Sequence, residues 1–212
     1  MRILTVSPDR YAHHSDELAQ MHRLRAMVFR GRLEWDVSVT ESGEFDEYDT
    51  LDPTYILAVT EDTRVVGCAR LLPAQGPTML ERTFPQLLAS GSLRASPNMV
   101  ESSRFCVDTT LEEARGGSQL HLATLTMFAA IIEWSMANGY DEIVTATDLR
   151  FERILNRAGW PMKRLGEPRE IGNTIAIAGS LPADAKSFDR VRPMGYQSVF
   201  LHVARQNIRS AA

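Results

Sequence analysis

Tyr55-Ile-Leu-Ala-Val-Thr60, Glu61-Asp-Thr-Arg64 and Val65-Val-Gly-Cys-Ala-Arg-Leu-Leu72 are consecutive, and their reading decides the fold. Two apolar runs rich in β-branched residues flank four polar ones, the pattern of an antiparallel hairpin. Upstream, Leu18, Met21, Leu24 or Arg25, Val28 and Phe29 recur at helical spacing, and Ser15 is a natural N-cap for a helix over 15–32. Residues 34–53 are acidic, hold Gly43 and Pro53, and read as a loop. Downstream come a short helix near 80–88 and an alternating strand over 99–107. An apolar helix over 118–137 follows, opened by Gly116-Gly117 and closed by Asn138-Gly139. A strand at 142–147, a helix at 150–158 stopped by Gly159, and a strand at 174–178 follow. Residues 183–209 are expected to be helical in part, interrupted by Pro193. The sum is an α/β sandwich around one central mixed, mostly antiparallel twisted sheet.

With 212 residues, the chain reads as one domain over 1–212, in which 183–212 have no role assigned from sequence. No window approaches the 18 or more apolar residues of a membrane span, and the N-terminus has no signal-peptide pattern. A cytoplasmic protein is expected. Cys68 and Cys106 sit in strand-like segments and read as buried thiols of a reducing compartment. The net charge of −4 hides a pattern: residues 34–62 carry ten acidic groups and no basic one, whereas 150–212 carry eleven basic and five acidic groups. Such lobes either face ligands of opposite charge or are solvated surfaces.

Several residues stand out by chemistry. Glu101 and Arg104 lie three apart on one strand, so alternation sends them to opposite faces. A buried Glu101 would have a raised pKa suited to proton transfer, or it would be a carboxylate satisfied by backbone donors at a strand end. Asp46 and Asp49 can converge on one cation, an arginine, a charged substrate or a metal, or remain solvated. A metal fits poorly, with no histidine near and no calcium-loop spacing. Arg70, amid apolar strand residues, calls for a carboxylate. Arg25 shares a helical face with Phe29, as a snorkelling stem or as part of an anion site. Trp35 follows that helix in polar company. Arg115-Gly116-Gly117-Ser118 is either a flexible turn or a phosphate-binding helix start. Arg150, Arg153 and Arg157 form a stripe at i, i+3 and i+7 that suits an acidic protein or nucleotide phosphates, if it is not merely solvated. Nucleic acid is disfavoured, because no aromatics interleave the basic residues. Walker, G-x-G-x-x-G, paired-histidine zinc and G-x-S-x-G motifs are absent.

Taken in order, Arg25, Phe29, Trp35, Asp46, Asp49, Arg70, Glu101 and Arg104 resemble the acyl-homoserine-lactone synthases, the LuxI-type autoinducer synthases of bacterial quorum sensing. The segments Arg25-Ala-Met-Val-Phe-Arg-Gly-Arg-Leu-Glu-Trp35, Phe45-Asp-Glu-Tyr-Asp49 and Glu101-Ser-Ser-Arg-Phe105 carry the likeness, which spans roughly residues 1–180. It implies a fold like that of the GNAT acetyltransferases and a two-step reaction. The α-amine of S-adenosylmethionine attacks an acyl thioester, and the methionyl carboxylate then displaces methylthioadenosine and closes a lactone. It implies S-adenosylmethionine as co-substrate, acyl-CoA or acyl carrier protein as donor, and no permanently bound cofactor. By the same resemblance, Glu101 is the base. Arg25, Phe29, Trp35, Asp46, Asp49, Arg70 and Arg104 form the S-adenosylmethionine site and its charged network, and Phe105 lines the thioester arm. Thr145 and Thr147 border the acyl pocket, and Arg150, Arg153 and Arg157 dock the donor. The acidic stretch would attract the cationic co-substrate, unless Asp46 and Asp49 are spent on Arg25 and Arg70.

Overall fold

The computed structural model describes residues 1–110, 122–198 and 200. Strand β1 (Arg2–Val6) leads through a 3-10 turn (Pro8–His14) into α1 (Ser15–Ala26), which continues as a π-helical turn (Met27–Arg32). The acidic segment then holds a small hairpin, β2 (Val39–Thr40) and β3 (Gly43–Glu44), and a 3-10 turn (Glu47–Thr50). The expected hairpin is β4 (Thr54–Val59) and β5 (Val65–Pro73). There follow α2 (Met79–Arg82), β6 (Met99–Val107), α3 (Leu122–Ala137), β7 (Glu142–Asp148) and α4 (Leu149–Arg157). Last come β8 (Lys163–Arg164), β9 (Arg169–Ile171), β10 (Thr174–Pro182) and α5 (Ala185–Val191).

The main sheet runs β1-β4-β5-β6-β7-β10-β8, with β9 paired to β10. Among the described residues only β6 and β7 pair in parallel, so the sheet is mixed and mostly antiparallel as expected. Period-2 alternation in the hairpin sorts the core into two layers. Ile56 and Ala58 face α3, packing with Met127, Phe128 and Ile131. Tyr55, Leu57 and Val59 face α1, packing with Met21, Leu24, Val28 and Phe29. Each such apolar side chain taken fully from water contributes about 1.5–3 kcal/mol. Cys68 and Cys106 are directly opposite each other on β5 and β6, buried and unbridged, as read from sequence.

Some boundaries differ from expectation. Ser15 is the first residue of α1 rather than its cap, and His14 holds the cap position without a side-chain bond. The preceding 3-10 turn runs straight into the helix. Strand β1 was unread in the sequence, and β10 extends past residue 178 to Pro182. Only residues 185–191 of the C-terminal stretch form a described helix, and it ends before Pro193. The Arg115-Gly116-Gly117-Ser118 turn and the start of the long helix lie outside the described residues.

Two backbone features position the site. The first is at Gly43, whose φ of 119° lets β3 lie against α1. A Cβ there would sit 2.3 Å from the His22 carbonyl carbon. Gly43→Ala should therefore cost more than about 2 kcal/mol in urea unfolding and unseat Glu44 next to it. An unchanged midpoint would show that α1 and β3 separate freely. The second feature is a bulge. Between Cys68 and Arg70 the β5–β6 register shifts, and Arg104 adopts a φ of 53°. Beyond Glu101, β6 and β7 share no further register pairs: their ladder is Met99↔Glu142, Val100↔Ile143 and Glu101↔Val144. A bulge adds local twist, and it lies where the two strands part.

Candidate active site

Arg25 projects from the apolar face of α1 with no solvent exposure. Its Nη1 and Nη2 donate to the two Asp49 carboxylate oxygens at 2.7 and 2.8 Å, a bidentate pair, and its Nε donates to Glu44. Arg70, equally buried on β5, donates through Nη1 to Asp46 and, at 2.9 Å, to Asp49, and through Nε to Ser103 Oγ at 3.1 Å. Arg104 on β6 pairs with Glu44 at 3.0 Å and Asp46 at 2.7 Å. Three guanidiniums thus meet three carboxylates, a neutral network in which Arg25 is an internal anion partner and not a snorkelling stem. Asp46 caps the 3-10 turn by accepting from Tyr48 N, while Asp49 accepts from Asp46 N. That local turn converges the two carboxylates, and Tyr55 Oη adds a bond to Asp49 at 2.7 Å.

Burial alone would raise the Asp49 pKa. The Arg25 hydrogen bonds and charge, with Arg70, outweigh burial and hold it well below the usual carboxylate range. Three of the ten acidic groups of the stretch, Glu44, Asp46 and Asp49, are therefore spent inside the protein, and the other seven are exposed. Glu44 was not singled out in the sequence. Counting three arginines against two carboxylates was the signal that could have found it. No group of residues suited to hold a metal occurs among the described residues.

Against this network lies a cavity of about 480 Å³. Phe29, Trp35, Glu101, Ser103, Arg104 and Thr147 line it, with Met79, Thr83, Phe84 and Leu87 on a further wall. Phe29 and Trp35 stack at 5.4 Å and 8°, and the Arg104 guanidinium lies 5.5 Å from the Phe29 ring centre. The expectation that Glu101 and Arg104 leave opposite faces is corrected here. The bulge adds one residue to the alternation, so Ser103 and Arg104 both line the cavity with Glu101.

Glu101 is 1% exposed. Its oxygens accept Met79 N at 3.0 Å and Leu80 N at 2.7 Å, where Thr78 caps the start of α2. Burial raises its pKa, against the lowering effect of the two backbone donors and Arg70. Both sequence readings of Glu101 thus hold in part: it is backbone-satisfied, and it is a buried carboxyl with elevated pKa facing a cavity.

Other expected site residues separate. Phe105 lies on the α3 side, its ring 5.3 Å from Phe128 and 4.8 Å from Phe151, and is not among the cavity's lining residues. Thr147 lines the cavity. Thr145 does not and stands opposite Gly179 on β10. Arg150, Arg153 and Arg157 are exposed on α4 and make no ion pair among the described residues. Nearby Arg164 is held by Glu152 at 2.7 and 2.8 Å. The cap of α4, Asp148, lines the cavity, so this basic helix starts at its edge.

The fold and site define a class. The autoinducer synthase family model matches residues 9–191, and the chain belongs to that family. It is 70% identical over 212 residues, the whole of both chains, to an acyl-homoserine-lactone synthase of Rhizobium radiobacter. Among solved structures, the acyl-homoserine-lactone synthase LasI aligns with a TM-score of 0.79 at 34% identity, covering 90% of this chain and 93% of that one. The CoA-dependent synthase BjaI, solved with S-adenosylmethionine and isopentyl-CoA, aligns with a TM-score of 0.79 at 25% identity, covering 98% and 99%. The fold is thus the acetyltransferase-like sandwich that the resemblance implied.

Proposed function

We infer that the protein makes an N-acyl-L-homoserine lactone signal from S-adenosylmethionine and an acyl thioester. One observation carries the reading. A single cavity brings the buried carboxyl of Glu101 and the guanidinium of Arg104 on β6 together with Thr147 on β7, beyond the point where those strands stop pairing. An acyl thioester entering between the parted strands would meet an amine held beside Glu101. The α-amine attacks the thioester carbonyl carbon, its proton passes to Glu101 directly or through a water, and the C–S bond breaks to release a thiolate that takes up that proton as it leaves. The methionyl carboxylate then attacks its own γ-carbon, expelling methylthioadenosine and closing the ring. Phe29 and Trp35 supply an aromatic wall. Arg25, Arg70 and Arg104, fixed by Glu44, Asp46 and Asp49, hold the floor rigid. Phe105 packs on the α3 side of the sheet against Phe128 and Phe151 and, with Thr145, would border the acyl tail rather than the amine.

The test is to incubate the protein with S-adenosylmethionine and a panel of acyl-CoA and acyl-carrier-protein thioesters. Methylthioadenosine and free thiol should appear in equal amounts. Free thiol without methylthioadenosine would mean simple N-acylation of an amine.

The donor is anionic in either form, and the exposed Arg150, Arg153 and Arg157 face would receive it. Raising ionic strength from about 0.05 to about 0.3 M should raise KM for the donor and spare KM for S-adenosylmethionine. Changing all three arginines to alanine should flatten that salt dependence. If the triple variant keeps the wild-type slope, the donor docks elsewhere.

A further inference from the structure

Two walls of the cavity come from segments far apart in sequence. One is the chain leaving the π-helical turn, residues 34–37, which includes Trp35. The other is the β9–β10 hairpin at 171–174. Gly172, with a φ of 57°, makes a two-residue turn that sets Asn173 at the tip. From there the Asn173 Nδ2 amide donates to the Leu33 carbonyl at 3.1 Å and to the Glu34 carbonyl at 3.2 Å. The amide orientation is fixed by chemistry, because two carbonyl oxygens accept only from the NH2 end. At its other end the same hairpin is tied to the opposite wall: Arg169 Nε donates to the Gln86 carbonyl at 2.9 Å, next to Leu87.

The hairpin is thus a strap across the cavity with a clasp at each end. The Asn173 clasp adds polar anchoring to a segment otherwise held by the Phe29–Trp35 stack and by Leu33, Trp35 and Val37 packing against the α1-side core. Glu34 carries a φ of 54°, a costly value for a non-glycine residue. The Trp35 N–H donates back to Phe29 O at 2.8 Å, and Arg30 and Asp36 form only an exposed pair at 3.7 Å. Asn173 is itself exposed, so its two bonds compete with water and each adds little. A weak, water-accessible clasp is what a closing wall needs if a co-substrate is to enter and a bulky nucleoside product is to leave.

We propose that Asn173 is a positioning residue that clasps the Trp35 segment across the cavity and so sets the affinity for S-adenosylmethionine, without touching the reacting atoms. The proposal rests on the reading that this cavity takes S-adenosylmethionine.

Asn173→Asp is nearly isosteric but turns a carboxylate oxygen toward two carbonyl oxygens, whereas Asn173→Ala merely removes the donor. Steady-state kinetics of methylthioadenosine release should show KM for S-adenosylmethionine raised about threefold in N173A, the size of one weak hydrogen bond. In N173D the rise should be about tenfold. The kcat should stay within about twofold and the thermal midpoint of the ligand-free protein should not move. Asn173→Gln, which keeps the amide donor, should recover part of the affinity. Unchanged KM in both N173A and N173D overturns the proposal. A fall in kcat at constant KM also overturns it, by placing the residue in the chemistry. A lowered midpoint that accounts for the loss would make its role structural, which overturns it too. Wild-type protein that releases no methylthioadenosine would instead count against the reading of the cavity itself.

Discussion

Arg25→Met is expected to lower the stability of the folded protein by about 3–5 kcal/mol and to abolish synthesis of the lactone. The side chain has no solvent exposure, and its guanidinium meets both Asp49 oxygens and Glu44. Removing it leaves Asp49 to Arg70 and Glu44 to Arg104, so three acids face two arginines and one negative charge is uncompensated beneath α1. Methionine keeps much of the volume, so the loss is electrostatic rather than a cavity. The pH dependence checks that attribution. The folded pKa of Asp49 lies below its unfolded value of about 3.9. Its stabilisation is therefore present above that value and is lost as pH falls through the folded pKa. In the variant the main lowering influence is gone, so the deficit relative to wild type should be full near neutrality and shrink below about pH 4. Urea unfolding from pH 7 to pH 3 measures it. A deficit that stays constant over that range would mean lost packing, not lost charge pairing.

The same residue shows how far local sequence reaches. Arg25 was marked by its place on an apolar helical face, and Arg70 by the apolar strand around it. Both cues are local, because a buried charge in an apolar stretch requires a partner. The hairpin of β4 and β5 was legible for a similar reason: alternation and a polar turn lie within eighteen residues. What was hidden depends on pairing at a distance. Strand β1 is five residues long and gains its identity from β4, about fifty residues away. The bulge at Arg104 places a non-glycine residue at positive φ, which no residue type announces, and it alone brings Arg104 to the side of Glu101. Glu44 was one acid among ten in its stretch until the three-dimensional charge balance singled it out. Asn173 sat in a recognisable Gly-Asn turn, but its acceptors at Leu33 and Glu34 are about 140 residues back. The order of elements was thus open to periodicity, whereas the site's convergence was set by one bulge and a few long-range hydrogen bonds.

Glu101→Gln separates the two roles that the structure gives this residue. The glutamine keeps one carbonyl oxygen for a backbone donor of α2, but its NH2 end faces the other N–H. One of Met79 N or Leu80 N then loses its acceptor, at a cost of about 1–3 kcal/mol in stability. That cost reduces the amount of folded enzyme, not the rate of each folded molecule. As the base for the attacking amine, Glu101 should contribute about 10²- to 10⁴-fold, so kcat per folded enzyme should fall by that factor. The wild-type pH profile gives an independent sign. Burial raises the Glu101 pKa, and the carboxylate is the competent form. Activity should therefore fall with decreasing pH through a value above the ordinary glutamate pKa of about 4.3. In E101Q the residual activity should lack that acid limb. Kinetics corrected for folded fraction, from pH 5 to pH 8, decide the matter. If E101Q keeps kcat within tenfold of wild type and retains the limb, Glu101 only anchors α2 and the proton leaves the amine by another route.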